Sequence, residues 1–239
     1  AEVVSPVQNK VGAYLANRPL RNILGQVKSS FDVQRLMDQG GILIVNLAKG
    51  RLGEDAANLL GSFLVTKLQL AAMARAGMPE TERRDFYLYV DEFHNFTTQS
   101  FADILSEARK YRLNLTLANQ YLGQMADSVR QAVLANVGTL VIFRVGPEDA
   151  ESLGKEFGAT WPRSNLVNLN PHEIWYKLMH DGRVVGPHAA STLAPPYPPG
   201  RDGDEYREAL QALSRQRHGR PREAVEQKIA RFFGGNGNG

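Results

Sequence analysis

The sequence predicts an α/β domain with a mostly parallel β-sheet, a β-hairpin after the sheet, and C-terminal helices. Three observations support this prediction. Short apolar runs that are typical of buried strands alternate with helical patterns, which is the arrangement of parallel sheets with crossover helices. The dipeptide Asp181-Gly182 separates two extended runs and is a strong signal for a hairpin. A proline-rich stretch then precedes two further helical patterns.

The N-terminal third is predicted to contain two short helices, one strand and one long helix. The short helices cover residues 6–16 and 31–37, and the strand is the apolar run Ile42–Leu47, which two glycines introduce. Apolar side chains at helical spacing predict the long helix, which ends near Arg75 because a glycine and a proline follow. Polar residues interrupt its apolar stretch, so we expect an amphipathic helix and not a membrane span.

Three further strands are predicted in the middle of the chain. The first begins at Phe86 and is aromatic and β-branched, the second covers Leu113–Ala118, and the third covers Thr139–Val145. An amphipathic helix separates the first two, and a helix over 122–134 separates the last two. Another helix begins at Pro147, since proline is favoured at the first helical position. Because strands and helices alternate, we expect these strands to lie parallel in one sheet.

The predicted domain organisation is one large domain, a linker and a tail. The domain covers residues 1–193 and includes a hairpin formed by Glu173–His180 and Arg183–His188. Residues 194–202 are rich in proline and predict a stiff linker. Residues 203–239 are predicted to form surface helices with a disordered Gly-Asn end.

Composition excludes several classes of function. The chain has no cysteine, which excludes disulfides, thiolate metal sites and a cysteine nucleophile. Its five histidines lack metal-ligand spacing, and there is no G-x-S-x-G elbow of the α/β-hydrolases. A hydrophobic content of 43% supports a substantial core, and the net charge of +3 permits contact with nucleic acid without requiring it.

The most informative chemical feature is the pair of carboxylates, Asp91 and Glu92, that directly follows the strand from Phe86. Parallel α/β sheets bind ligands at the carboxyl ends of their strands. One carboxylate there can help to hold Mg²⁺, and a second can polarise an attacking water. The alternative is a helix cap or a surface turn. His94 follows the pair closely and is predicted to be an exposed loop residue, and the alternative is that it tunes the site.

Asn119 and Gln120 end the next predicted strand. In a parallel sheet the end of that strand lies beside the end of the Asp91 strand, so the polar residues of both should be neighbours. A glutamine at this position can hydrogen-bond a γ-phosphate or the water that attacks it. The alternative for Gln120 is an ordinary polar strand end.

Three basic residues are candidates for phosphate chemistry. Arg109 and Lys110 end the helix between the two strands, where the simplest role is a favourable interaction with the helix dipole. The functional alternative for Arg109 is an arginine finger that reaches a nucleotide held by a neighbouring subunit. Arg144 ends the third of these strands and either contacts a phosphate or forms a salt bridge with Glu148 or Asp149.

Several basic residues are candidate DNA contacts, namely Lys49, Arg51, Arg109, Lys110 and Arg112. The glycine-bearing loop Lys49–Gly53 is either a pore loop, since glycines let backbone amides approach phosphates, or a solvated turn. The C-terminal arginines at 215, 217, 220 and 222 either bind phosphate or a partner or are simply solvated. Trp161 and Trp175 are predicted to pack in the core.

Four segments in this order resemble the C-terminal half of the FtsK/HerA superfamily of P-loop ATPases. They are Phe86–Glu92, Ser106–Tyr111, Leu115–Gln120 and Asn136–Thr139, and the similarity extends over about residues 3–193. The branch that the chain resembles most is the type IV secretion coupling proteins, which are conjugative DNA-pumping ATPases.

The resemblance implies a RecA-like three-layer fold and a set of roles. Asp91 would be the Walker B residue at the metal site, where it holds Mg²⁺ through water, and Glu92 the catalytic glutamate. Gln120 would be the sensor, and Arg109 the finger acting in trans. It also implies ATP and Mg²⁺ as cofactors, a hexameric ring, and DNA and a type IV secretion or relaxosome component as partners. The expected location is the cytoplasm, at the inner face of the membrane if an upstream segment anchors it.

The sequence departs from this family in two respects. His94 closely follows the acidic pair, and the chain contains no G-x-x-x-x-G-K-[ST] phosphate loop. Its one Gly-Lys pair, Gly154-Lys155, is followed by Glu156, and Asp149 stands at the upstream glycine position. We therefore expect Ala1 to lie midway through a larger ATPase and the chain alone to be inactive. The alternatives are a non-hydrolysing DNA-binding or assembly module and a HerA-like DNA-processing motor.

Overall fold

The computed structural model describes residues 11–12, 14–97, 99–196 and 203–234. It divides into two compact units, of which one covers Ala1–Arg84 with Pro198–Gly239 and the other covers Asp85–Tyr197. Of the predicted helix over 6–16, residues 6–10 and 13 lie outside the described residues, and 11–12 and 14–16 are helical. Most of the predicted linker and the Gly-Asn end also lie outside them. The domain boundaries predicted from the sequence stay a prediction.

The described part of the first unit is helical. Its helices are α1 (Arg18–Leu24), α2 (Val33–Asp38), α3 (Lys49–Leu52), α4 (Glu54–Ala74), α9 (Gly203–His218) and α10 (Arg222–Gly234), with 3-10 turns at Arg75–Gly77 and Glu80–Glu82. Two side chains cap helix starts, since Asn17 accepts from the amide of Leu20 and Asp32 accepts from the amide of Arg35, each at 3.0 Å. The sequence therefore defines these helix starts locally.

Helix α4 is the central element of the first unit. Its buried face includes Val65, Leu68 and Ala72, and α4 packs against α2, whose Met37 is fully buried. Among the described residues, Glu54–Gly77 is the one helical stretch with the length and apolar composition to cross a membrane, and a buried core helix passes the same test. The buried face gives α4 the amphipathic character that the sequence predicted.

Two sequence predictions in this unit are wrong. The run Ile42–Leu47 is not a strand but irregular chain, with Ile42 88% and Ile44 83% exposed. An apolar run becomes a strand only by pairing with a neighbour, and the described residues of this unit offer no strand for it. The predicted loop Lys49–Gly53 is instead the short helix α3, which ends at Gly53 with a φ of 83°.

A charged cluster joins the first and last helices of the first unit. Arg18 donates two hydrogen bonds to the two carboxylate oxygens of Glu226, each at 2.7 Å, and Asn22 donates a third at 2.8 Å. The hydrogen bond from Arg18 and that from Asn22 lower the pKa of Glu226 to about 2. Helix α10 is thereby held against α1, where Val225 is buried.

We expect Glu226→Gln to lower the thermal stability of the chain at neutral pH. The pKa of Glu226 is lowered in the folded state, from 4.5 to about 2, so its contribution is fully present above the unfolded-state value and is lost as the pH falls. The difference in Tm between wild type and variant should therefore shrink between pH 4.5 and 2. Calorimetry across that range measures it, with Glu208→Gln, an exposed α9 carboxylate, as the control. A difference independent of pH would contradict the prediction.

The second unit contains all the strands of the described structure. Its elements are β1 (Phe86–Val90), α5 (Gln99–Glu107), β2 (Leu113–Leu117), α6 (Asp127–Asn136), β3 (Leu140–Ile142), α7 (Pro147–Lys155), α8 (Ser164–Val167), β4 (Glu173–His180) and β5 (Arg183–Ser191). Strands β1 and β2 are parallel, with Phe86 opposite Leu113 and Val90 opposite Leu117, and α5 is the crossover between them. The α/β class and the hairpin β4–β5 are confirmed.

Strand β3 differs from the prediction. It does not lie parallel with β2 but pairs antiparallel with β4, where Val141 is opposite Tyr176 and Ile142 is opposite Trp175. The eight-residue strand β4 offers β3 a free edge, and burial of Ile142 in the core beneath that edge favours the pairing. The predicted helix over 122–134 is likewise a 3-10 turn at Leu122–Gln124 followed by α6.

A compact hydrophobic core supports the antiparallel sheet. Its buried residues are Ile142, Ala150, Leu153, Leu166 and Leu169. Trp161 and Trp175 pack against this core with their ring centroids 5.0 Å apart in an edge-to-face arrangement, which is a favourable geometry for aromatic pairs. The prediction that both tryptophans are packing residues is confirmed.

Candidate functional site

The parallel strands bring Glu92 and Gln120 together. Beyond the ends of β1 and β2 the pairing continues, because Ala118 donates its amide to the carbonyl of Val90 at 2.9 Å and Phe93 donates to the carbonyl of Ala118 at 3.2 Å. The two segments therefore leave the sheet side by side. Gln120 Nε2 then donates to Glu92 Oε1 at 2.5 Å. The proximity that the sequence predicted for these two side chains is observed.

Glu92 stands on a constrained backbone. Its φ of 48° and ψ of 45° lie in the left-handed region, which costs a non-glycine residue on the order of 1–3 kcal/mol. The turn Phe93–Phe96 offsets this cost, because Asn95 donates both its amide and its side-chain Nδ2 to the carbonyl of Glu92 at 3.0 Å. Phe93 is buried and stacks on Phe101 of α5, with ring centroids 5.9 Å apart, so the turn is anchored to the helix.

The two oxygens of the Glu92 carboxylate have different surroundings. Oε1 accepts the hydrogen bond from Gln120, whereas Oε2 is buried and has no hydrogen-bond partner among the described residues. His94 follows on the same turn, and its Nδ1 is 3.4 Å from Oε2. The side chain as a whole is 33% exposed, so solvent or a ligand can still reach the carboxylate.

The prediction that His94 is an exposed loop residue is wrong. Its side chain is only 16% exposed, and Nδ1 lies 2.7 Å from Oδ1 of Asn119. Asn119 in turn donates from Nδ2 to the carbonyl of Tyr121 at 2.6 Å. One feature of the sequence indicated this contact, namely that polar residues follow both strands. The geometry of the turn, which directs His94 inward, was not evident from the sequence.

Asp91 is an exposed carboxylate at the carboxyl end of β1, and its Oδ1 accepts from the amide of Glu92 at 3.0 Å. Magnesium binds proteins through one or two carboxylates, with waters and substrate phosphates completing its octahedron. The described residues hold no group of three or more His, Cys, Asp or Glu side chains that could bind a metal by themselves. The role of Asp91 in holding Mg²⁺ stays a prediction.

Arg109 lies at the opposite edge of the parallel pair. It is exposed in the turn Ala108–Tyr111, which precedes β2, and the amide of Phe86 bonds the carbonyl of Arg112 at 2.9 Å at this amino end. Strand β2 has five residues, so about 16 Å separates this edge from the carboxyl ends. The structure keeps Arg109 away from the Glu92 of its own chain. This separation is compatible with the predicted finger acting in trans.

Lys110 and Arg112 share this amino-end edge with Arg109. Lys110 Nζ is 3.5 Å from Glu107 Oε1, and Arg112 Nη1 is 3.7 Å from Asp85 Oδ2, with Arg112 in the left-handed conformation at a φ of 56°. Both side chains are exposed, and ion pairs between exposed groups contribute little to stability. These pairs therefore do not prevent either residue from contacting a polyanion.

Lys49 and Arg51 belong to the other unit and sit on the short helix α3. Lys49 Nζ is 2.7 Å from Glu54 Oε1, and this contact lowers the pKa of Glu54 below its usual range. Arg51 is exposed. The predicted basic lining is thus divided between the two units.

Arg144 is exposed two residues after β3. No ion pair joins it to Glu148 or Asp149 among the residues that the structure describes. Asp149 instead accepts from the amide of Leu122 at 3.0 Å and so ties the start of α7 to the segment that follows Gln120. The salt-bridge alternative for Arg144 is wrong, and its contact with a phosphate stays a prediction.

Known proteins resemble this chain in two ways. Residues 85–167, which include Asp91, Glu92, Arg109 and Gln120, match the family model described as the TraM recognition site of TraD and TraG. The fold is similar to that of the bacterial conjugative coupling protein TrwB in its unbound form, with a TM-score of 0.50, 16% identity, and coverage of 64% of this chain and 42% of that one. No curated protein matches the chain significantly.

Two further solved structures are similar to the chain. TrwB in complex with the non-hydrolysable GTP analogue GDPNP matches with a TM-score of 0.50 and 16% identity over 67% of this chain and 43% of that one. The genome packaging NTPase B204 from Sulfolobus turreted icosahedral virus 2 matches with a TM-score of 0.46 and 12% identity over 70% and 74%. The chain spans less than half of the length of the coupling protein. The resemblance to coupling-protein P-loop ATPases and their RecA-like fold is confirmed.

Proposed function

We propose that this chain supplies the catalytic-glutamate part of an ATP-driven DNA translocase similar to the conjugative coupling proteins. The observation that carries the proposal is the 2.5 Å contact between Gln120 Nε2 and Glu92 Oε1 at the carboxyl ends of two adjacent parallel strands. Ligands of α/β sheets bind at these ends. The match of residues 85–167 to a coupling-protein family model covers this same segment.

Each residue of the site has a distinct chemical task in this proposal. Glu92 accepts a hydrogen bond from the attacking water and takes its proton as the new oxygen–phosphorus bond forms. The bond between the γ-phosphorus and the bridging oxygen breaks in the same step, and ADP leaves with the electron pair of that bond. Gln120 holds Glu92 Oε1 in the structure and can turn its amide towards the γ-phosphate. Asp91 would hold Mg²⁺ through water, and the ion when bound neutralises phosphate charge. Arg144 would contact a phosphate from the end of β3.

The remaining parts of the proposal concern assembly and DNA. Arg109 would act on the nucleotide of a neighbouring subunit in a hexameric ring, because it lies at the edge of the sheet remote from its own Glu92. The candidate DNA contacts are Lys49, Arg51, Lys110 and Arg112. We place this activity in the cytoplasm, at the inner face of the membrane where a coupling protein would meet a secretion channel.

A second candidate function is recognition of a relaxosome component without hydrolysis. The observation that favours it is the description of the matching family model, which is a TraM recognition site. The two functions make different demands on the chain, since only the first requires an intact Glu92. A protein that binds its partner equally well with and without this carboxylate, and shows no ATP turnover, would support the second.

The test of the proposed function is ATP hydrolysis by the full-length protein that contains these residues, measured with and without DNA. We expect DNA to raise the rate, because a translocase couples turnover to its track. Binding of DNA should weaken with salt, since phosphate contacts release counterions. A full-length protein that hydrolyses no ATP under any of these conditions would overturn the proposal.

The 239-residue chain by itself is expected to show no ATP turnover above background. It contains Glu92 and Gln120 but no G-x-x-x-x-G-K-[ST] motif, whose backbone amides and lysine hold the β- and γ-phosphates. Release of phosphate from the purified chain, compared with the chain carrying Glu92→Gln, measures this. Turnover that the substitution abolishes would show that the chain forms a complete site and would contradict the prediction.

A further inference from the structure

We propose that His94 is a positioning residue that orients the carboxylate of Glu92 to accept the proton of the attacking water, an inference that rests on the proposed function. His94 lies on the same turn as Glu92, and its half-buried ring contacts the polar end of the neighbouring strand. It does not reach the reacting atoms. Its effect would be exerted through Glu92.

The hydrogen bonds around Asn119 determine which atom of His94 carries the proton. The carbonyl of Tyr121 can only accept, so the Asn119 atom that lies 2.6 Å from it is the donor Nδ2. Oδ1 of the same amide then faces His94 Nδ1 at 2.7 Å and can only accept. His94 Nδ1 must therefore be the donor, which assigns the neutral ring to the tautomer protonated at Nδ1.

The same ring nitrogen lies near the second oxygen of Glu92 but makes no hydrogen bond to it in the structure. Nδ1 is 3.4 Å from Oε2, the buried oxygen that has no hydrogen-bond partner among the described residues. A small movement of the ring would allow the proton to be shared between Asn119 Oδ1 and Glu92 Oε2. Because the Oε2 atom itself is buried, the attraction between this N–H and the carboxylate oxygen is stronger than it would be at a fully exposed position.

The two oxygens of the Glu92 carboxylate thus face different neighbours, of which only one makes a hydrogen bond in the structure. Gln120 donates to Oε1, and His94, supported by Asn119, faces Oε2. Asn119 and Gln120 are adjacent in sequence, and each contacts a different residue on the other segment. Asn119 contacts His94, and Gln120 contacts Glu92. When Gln120 turns to a phosphate it releases Oε1, and His94 would then be the contact that keeps the carboxylate in place.

The first test is the kinetics of the full-length protein with substitutions of His94. Loss of a group that orients a functional side chain typically costs 10–100-fold in activity. We expect His94→Ala to lower kcat by about tenfold or more with little change in KM for ATP. His94→Asn places an amide near the position of Nδ1 and should recover most of kcat. His180→Ala, at an exposed histidine of the hairpin, is the control.

An equal loss of kcat in His94→Ala and His94→Asn, with unchanged Tm, would overturn the positioning role. An unchanged kcat in His94→Ala would also overturn it. If the wild type hydrolyses ATP and Glu92→Gln does not, such a result removes the role of His94 while the proposed function stands. A wild type without turnover overturns both.

The second test does not depend on activity. Nitrogen chemical shifts of the histidine ring in the 239-residue chain report the tautomer of His94, and we expect protonation at Nδ1. Replacement of the acceptor by Asn119→Leu should shift the ring towards the Nε2-protonated form. A wild-type ring protonated at Nε2 would overturn the arrangement whatever the kinetics show.

Discussion

Glu92→Gln in the full-length protein is expected to lower kcat for ATP hydrolysis by about 10²–10⁴-fold, the range that a general base typically contributes. Glutamine has the same shape as glutamate and keeps an oxygen that can accept from Gln120 Nε2, so the turn and the strand ends should be preserved. What is lost is the negative charge and the ability to take a proton from water. Binding of nucleotide should therefore survive the substitution.

Two measurements together test this expectation, the steady-state rate with DNA and the affinity for a non-hydrolysable nucleotide. Glu148→Gln is a suitable control, because Glu148 is an exposed carboxylate in the first turn of α7. We expect the control to hydrolyse ATP at the wild-type rate. If Glu92→Gln does the same, the carboxylate pair at the end of β1 is a structural turn and the recognition function gains support.

Arg109→Ala is expected to lower kcat by about 10³–10⁵-fold, which is the effect of removing an arginine finger. The guanidinium would stabilise the charge that develops on the transferred phosphoryl group. Arg109 is exposed and separated from its own Glu92 by the length of β2, so we expect it to serve a nucleotide in another subunit. Arg183→Ala, at an exposed arginine of the hairpin, is the control.

Mixing the two inactive variants tests the action in trans directly. A subunit with Arg109→Ala still carries Glu92, and a subunit with Glu92→Gln still carries Arg109. Where the second subunit presents its arginine to the first, one complete site is formed, and the mixture should recover part of the activity. A mixture as inactive as either variant alone, in rings shown to exchange subunits, would place Arg109 outside the reaction.

The sequence predicted the central part of the site because parallel sheets leave few alternatives. An apolar run of strand length followed by Asp91 and Glu92, and a second run followed by Asn119 and Gln120, must bring these residues together if the strands are adjacent and parallel. The crossover helix between them favours that arrangement, because sequential strands are neighbours in roughly two-thirds of cases. The contact between Glu92 and Gln120 is thus a consequence of topology.

What the sequence did not predict depended on contacts between distant segments or on local backbone geometry. Ile42–Leu47 has the composition of a strand, but composition does not supply the partner that a strand needs. The direction of β3 was decided by the free edge of β4, more than 30 residues later in the chain. His94 was misplaced because the left-handed conformation of Glu92, which turns the chain inward, leaves no mark in the sequence of a non-glycine residue.

The pairing of Arg18 with Glu226 has a consequence for the order in which the two units fold during synthesis. The first unit consists of two stretches of chain that the second unit separates, and its closing contact joins residues 208 positions apart. A ribosome releases the strands of the second unit well before it releases α10. Because domains fold as units during synthesis, the second unit can complete its folding first. The helices at the start of the chain can complete the first unit only after α10 has left the ribosome.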